Sequence, residues 1–432
     1  MSEDIQTAAA AVHQKWPERL DAACLVSGAL VPLGIVTGNI AFEAMVALTG
    51  LFWIARSVTA RENPVSRMAG HPLVLPWLLW LGAIFISLGI NGPGHKGYMH
   101  DIALIRYPLF LIAVLDVSGR RPVAKYLIYG LGAGVIWGAL NTLLAYALGF
   151  DFLGRDLVRY SLKLKEASRI SAFSAYASTF FLSWTVFDRE TGSKTRKIAA
   201  IVGCAALLLL LQTHIRTSIL AAGFGMMFAM AYIGRKRFTP SSVFWGVSLV
   251  LFVTICFFFA GSFFSYLAHM QDPGHPVLST NLSSLRIRSY IWQVTLAMWL
   301  ENPVFGVGIS SFQDVYRETA SMVLSGLNIP EGMAAGMTEQ THAHNLFLML
   351  AAGTGILGVA AFAFLFVNII RGVLKNTAGH RVGFVVWPGV FFLIGLTGFN
   401  IYHSWYQALF AYLVAMIGCG LESGEWKRRP RV

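Results

Sequence analysis

The chain has 432 residues, of which 56% are apolar and only 12% charged, and its mean hydropathy is +0.61. These values exclude a water-soluble protein with one buried core, because the apolar runs match the ~20 residues that a helix needs to cross a bilayer. The net charge of +12 does not call for nucleic acid as a partner, since Lys and Arg in cytoplasmic loops produce such an excess unaided. From the N-terminus onward, apolar runs predict about twelve transmembrane helices, near 20–37, 40–56, 73–91, 102–117, 126–149, 172–187, 198–213, 217–233, 243–266, 345–370, 384–400 and 402–421. Helix is the expected spanning form, because backbone amides in lipid must bond within their own segment. The fold class is thus an all-α polytopic integral membrane protein, with residues 1–432 forming a single transmembrane domain.

Met1 to Arg19 is polar with mixed charge, so the first apolar run reads as a retained anchor. Cys24, Cys204, Cys256 and Cys419 all lie inside apolar stretches and read as small hydrophobes, not as a disulfide framework or a metal site. With the N-terminus inside, 22 of the 33 Lys and Arg fall on the cytoplasmic side and every inner loop is basic. The positive-inside rule therefore places both termini in the cytoplasm, and membrane lipids are the surroundings.

Two outer segments are long. Residues 150–171 form a smaller basic loop that carries Arg155, Arg159, Lys163, Lys165 and Arg169. Residues 268–343 form a large loop between the ninth and tenth spans, with helices predicted over 287–300 and near 310–325. Its aromatic content argues for order, packed over the mouth of the bundle. Arginine collected on the outer side is not explained by topology and points to an anionic ligand.

His344 is the strongest single candidate. It stands where a polar loop enters an apolar helix, and a neutral imidazole there accepts a proton near neutral pH. The alternative is a histidine that caps the helix or sits at the interface. His342 reads alone as an orienting or structural group, and no evident further ligands complete a zinc site with the pair. Arg216 opens a transmembrane helix, where a charge is costly and functional by default; the alternative is snorkelling to head groups. A guanidinium grips phosphate oxygens in a two-pronged geometry that Lys cannot copy. Arg286 and Arg288 flank Ile287, and two residues apart on a helix they diverge, so one of them faces the site. Arg159 and Arg169 fit either a binding role or contact with anionic lipid phosphates. No Asp-x-Asp pair, Walker loop, dinucleotide glycine fingerprint or Gly-x-Ser-x-Gly elbow is present, and no metal or cofactor is expected. Glu43, the one clear carboxylate within a span, is thin support for a transporter or flippase, the alternative from another class.

The order of three segments is similar to a known family. Arg288-Ser-Tyr-Ile-Trp292 followed by Glu301-Asn-Pro-Val-Phe-Gly-Val-Gly-Ile-Ser-Ser-Phe312 resembles the large-loop motif of the O-antigen ligase and polymerase superfamily. His344-Asn345, with Gly355 and Gly358 after it, resembles the family's His-Asn/Ser/Gln-x9-Gly-x-x-Gly signature. Thr213-His-Ile-Arg216-Thr-Ser218 resembles its Thr-x-Ser-Arg-type segment, with a histidine at one expected small position. The resemblance implies a glycosyltransferase-C-like helical bundle in the bacterial inner membrane, with its active site at the periplasmic face. It further implies an enzyme that moves a glycan from undecaprenyl diphosphate to a sugar hydroxyl of lipid A–core, by inverting and metal-independent transfer. A repeat-unit polymerase is the near alternative. In that scheme His344 is the base and Arg216 and Arg288 stabilise the leaving diphosphate. Arg159, Arg169, Arg286, His342 and Asn345 then bind substrate.

Overall fold

A computed structural model describes residues 3–94, 97–152, 164–188, 191–213, 215–233, 239–240, 246–248, 251, 277–325, 337–375, 379–398 and 400–422. Its main elements are helices: α1 (Glu3–Thr37), α2 (Asn39–Thr59), α3 (Pro64–Met68), α4 (Val74–Asn91), α5 (Tyr98–Ile102), α6 (Arg106–Ser118), α7 (Val123–Leu148), α8 (Leu164–Phe187), α9 (Ser193–Gln212), α10 (Arg216–Tyr232), α11 (Val277–Glu301), α12 (Phe312–Ser325), α13 (Leu346–Lys375), α14 (Trp387–Thr397) and α15 (Ser404–Glu422). Among the described residues, seven stretches are long and apolar enough to cross a membrane, within α1, α2, α4, α7, α8, α9 and α13. The protein is an all-helical, multi-pass membrane protein.

Several expected spans take a different form. The run at 102–117 splits into α5, a 3-10 turn and α6 of 13 residues. The reason is polar: Asp101 is buried on Ser310 Oγ, and Arg106 bonds back to the Ala103 carbonyl, so this entry to the bundle is not a continuous apolar helix. The run at 384–400 becomes α14 of 11 residues, started by Pro388 in its first turn and preceded by a 3-10 turn at Gly379–Phe384. The 217–233 run becomes α10, 17 residues long. The expected span at 243–266 lies outside the described residues, apart from 246–248 and 251. In the large loop α11 begins earlier than the predicted 287–300 helix. Cys204, read as part of an apolar stretch, is exposed on α9.

Association of helices in lipid lacks the hydrophobic drive available in water, so close packing through small residues carries it. Gly130, Gly134 and Gly138 recur at helical spacing on α7 and lie against Ala29, Pro32 and Val36 of α1, where any side chain would collide or crowd. An aromatic cluster fills the far side: Trp77, Trp80, Phe362, Phe391 and Phe410 pack with ring centroids 5.1 Å apart in three of their pairs.

Side-chain contacts show which helix ends lie together. At one end the last turns of α2 and α6 meet Asp21 of α1. At the other, Arg169 of α8 reaches Asn39 at the start of α2, and Ser171 of α8 meets Ser218 of α10. Tyr176 of α8 packs on Trp387, which starts α14, while Phe180 packs on Phe384 just before it, so α14 runs toward the N-terminal ends of α8 and α10. This second end holds the residues singled out by sequence.

Candidate active site

The site begins with a broken helix. α13 carries Gly355 at φ 63°, ψ −167°, which interrupts its hydrogen-bond ladder within the apolar run. Backbone groups freed in lipid must find partners in protein. Here the segment 303–308 supplies them. Val307 and Gly308 donate to the Ala352 and Gly353 carbonyls at 2.7 and 3.1 Å, and Ile356 and Leu357 donate to the Pro303 and Val304 carbonyls at 2.9 and 3.4 Å. A Cβ on Gly355 would strike the Val304 carbonyl, and one on Gly306, also at positive φ, would strike that of Ala352. Ser87 and Asn91 of α4 close the junction by donating to the Gly353 and Gly306 carbonyls, both at 3.0 Å. Two motifs far apart in the chain are thus one backbone clamp, which joins α11 to α13.

His344 lies two residues before α13 and Arg288 lies within α11, so both belong to the segments that the clamp joins. Asn345 caps α13: its Oδ1 accepts from the Phe347 and Leu348 amides at 2.9 and 3.1 Å. Its Nδ2 donates to the Leu396 carbonyl at 3.0 Å. Capping therefore belongs to Asn345, and His344 is left for another task. The backbone of His344 is left-handed, φ 50°. A non-glycine residue there costs ~1–3 kcal/mol and persists where the surroundings over-determine it. Those surroundings are on both sides: Trp292 Nε1 of α11 donates to the Ala343 carbonyl at 3.1 Å, and Asn345 holds the chain on the other flank.

The His344 imidazole is half-buried. Burial depresses its pKa from 6.5 to about 4, the positive charge of Arg288 pushes the same way, and a backbone hydrogen bond at Gly398 opposes them. The ring is thus neutral at physiological pH and able to accept a proton. Arg288 is itself half-buried, and burial lowers its pKa. Among the described residues no carboxylate pairs with it. A half-buried guanidinium with no carboxylate partner among the described residues favours an anionic ligand. His342 packs on His344 with ring centroids 4.0 Å apart, and its Nδ1 lies 3.0 Å from Thr341 Oγ1.

The other expected residues sort by place. Arg216 is the first residue of α10, half-buried, at the same end of the bundle, where the helix dipole adds to its positive charge. Arg169 is not in a loop: it lies inside α8, 5% exposed, with Nη1 donating to Asn39 Oδ1 at 2.8 Å. Arg159, His214 and the side chain of Arg286 lie outside the described residues. Arg317, a basic residue of α12, pairs with Glu339 at 3.3 Å. Among the described residues no group of three His, Cys, Asp or Glu converges as a metal site requires.

Sequence reasoning missed the contribution of Leu396–Gly398 and of Trp292 as an anchor for the 343–345 turn. The Gly398–Asn400 pair after an apolar run was the available hint of a helix end facing the site. Nothing local in the sequence joins Trp292 to Ala343.

Among curated proteins none matches the chain. A family model described as O-antigen ligase matches residues 199–363. Members of that family are glycosyl-transferring enzymes, ligases and polymerases. The matched region contains Arg216, Arg288, the 303–308 clamp and the His344–Gly358 segment, while Ser87, Asn91 and Leu396–Gly398 lie outside it. The similarity to the O-antigen ligase family thus covers residues 199–363.

Proposed function

We propose that this protein is an O-antigen ligase of the bacterial inner membrane, with about twelve transmembrane helices, both termini in the cytoplasm and its site facing the periplasm. The donor is a polysaccharide on undecaprenyl diphosphate and the acceptor a sugar hydroxyl of lipid A–core. The acceptor oxygen attacks the anomeric carbon as its proton passes to His344. The bond from that carbon to the phosphate oxygen breaks, and undecaprenyl diphosphate leaves with the electron pair. Attack opposite the leaving group inverts the anomeric centre. Arg288 and Arg216 stabilise the charge that grows on the diphosphate, through preorganised electrostatics in a site that excludes water. Arg159 and Arg286 are assigned to the donor phosphates by their charge, Arg169 is buried in α8 against Asn39 and supports that end of the bundle, and His342 and Asn345 hold the loop that carries the base. Holding two lipid-bound substrates in register supplies the entropic part of catalysis.

The observation that supports this most is the neutral, half-buried His344 beside an Arg288 that has no carboxylate among the described residues. Deletion of the gene in a host that makes O-polysaccharide tests the reading. Loss of a ligase leaves long polymer on the lipid carrier and bare lipid A–core. Loss of a repeat-unit polymerase leaves single units on lipid A–core, and that outcome would replace the ligase reading with its kin.

A further inference from the structure

A polar cavity of about 370 Å³ opens at the His344 end, between α2, the 100–106 turn, the 341–342 loop and the 400–404 turn. That volume lies in the lower part of the ~300–1,000 Å³ range of small-ligand sites, enough for the end of a glycan and not for its length. Its walls include Glu43, His100, Arg106, His342 and Asn400.

Two features show that the cavity is built. Asp101, 1% exposed, sets one carboxylate oxygen 2.8 Å from His100 Nδ1 and accepts from Ser310 Oγ on the other at 2.9 Å. Burying a carboxylate is costly unless it is bonded. Here it holds the His100 ring through Nδ1 and leaves Nε2 as the ring nitrogen for a ligand hydroxyl. Second, the guanidinium in the cavity is already matched. Arg106 donates to the Ala103 carbonyl at 2.8 Å and to Tyr107 Oη at 3.0 Å, and it lies 3.5 Å from Glu43. A diphosphate would meet little net positive charge here, in contrast to the surroundings of Arg288. A hydroxyl-rich ring would meet donors and acceptors side by side. The cavity also adjoins the base, because His342 lines it and packs on His344.

We propose that this cavity is the subsite for the terminal sugar of the acceptor glycan, held through its hydroxyls by Glu43, Asn400 and the Asp101-oriented His100. The assignment rests on the transfer reading above.

The test uses the full-length protein in lipid nanodiscs with two soluble probes. One is core oligosaccharide released from the lipid A of a strain that makes no O-polysaccharide; the other is a free repeat-unit oligosaccharide. Saturable calorimetric binding of either probe, weakened about tenfold by both His100→Ala and Glu43→Gln, supports the subsite and identifies the acceptor source. In the transfer assay the same variants raise the acceptor KM and leave the donor KM unchanged. Binding of neither probe, equal binding by both variants, or a rise in donor KM alone overturns it. If a probe binds through these residues yet the wild-type protein transfers no glycan, the transfer reading fails while the sugar site stands.

Discussion

The two ends of the bundle are held together by different chemistry. At the end away from His344, three carboxylates and three guanidiniums lock the helix termini. Asp116, 3% exposed, accepts from Trp53 Nε1 at 2.9 Å, from Arg67 at 3.0 and 3.1 Å and from Arg120 at 3.1 Å. Asp21 accepts from Arg120 at 2.9 and 3.0 Å and lies 3.4 Å from Arg56. Glu62 bridges Arg56 and Arg67, whose hydrogen bonds hold its carboxyl down to about 2. At the His344 end the corresponding joint is made of backbone: four amide–carbonyl bonds between 303–308 and the break in α13. Side-chain charge is consumed by the fold at one end. At the other, main-chain bonds make the joint, and Arg288 is placed without a carboxylate among the described residues. Arginines of similar cost thus serve opposite purposes, and the presence of matching acids separates them.

Substitutions can break this contrast from either side. The largest effect is expected at the clamp. Gly355→Ala forces a side chain into the Val304 carbonyl at a left-handed position, and the loss in stability should exceed ~4 kcal/mol, the range of exceptional single substitutions. Denaturant titration in detergent measures it, and a wild-type-like midpoint would show that the clamp is dispensable. Asp116→Ala leaves Arg67 and Arg120 short of a buried counter-charge and should cost about 3–5 kcal/mol. Transfer per folded molecule should stay at the wild-type level, which separates the structural charges from the chemical ones.

Arg216→Lys should leave the melting temperature alone. It keeps the charge but loses the fork, and a charge-assisted hydrogen bond is worth ~1.5–3 kcal/mol, so kcat/KM for the donor should fall roughly 10- to 100-fold. The smallest effect is a displacement in pH. The protonated imidazole cannot act as a base, so kcat/KM should decline as pH falls through about 4, where His344 gains its proton. Arg288 depresses that pKa, and its removal in Arg288→Gln should move the acid limb to higher pH. A limb that stays in place or moves down would separate the two groups.

Much of this contrast is legible in the chain, and the rest is hidden for physical reasons. The apolar runs mark the long helices because lipid demands unbroken apolar length. They misjudge α8, whose start at Leu164 is polar, because this helix is largely buried in protein and does not need an apolar lipid face. Arg169 therefore looks like loop and is core. The basic loops do not show that Arg56, Arg67 and Arg120 are paired, because Asp21, Glu62 and Asp116 are scattered along the sequence. Gly306 and Gly355 stand out only through the motifs that resemble the family, and their meeting across the clamp is a long-range backbone event with no local signature. The left-handed turn at His344 is equally silent, since no glycine marks it.

Under the proposed function the His344 imidazole performs the chemistry, and its hydrogen bond at Gly398 and its packing on His342 are secondary to the fold. The most direct measurement compares His344→Ala with wild type in a purified assay of glycan transfer from undecaprenyl diphosphate, alongside the melting temperature of each. A fall of at least ~10²-fold in turnover, with the donor still bound and the melting temperature unchanged, is the predicted result. Near-normal turnover, or turnover lost only because the protein unfolds, would contradict it.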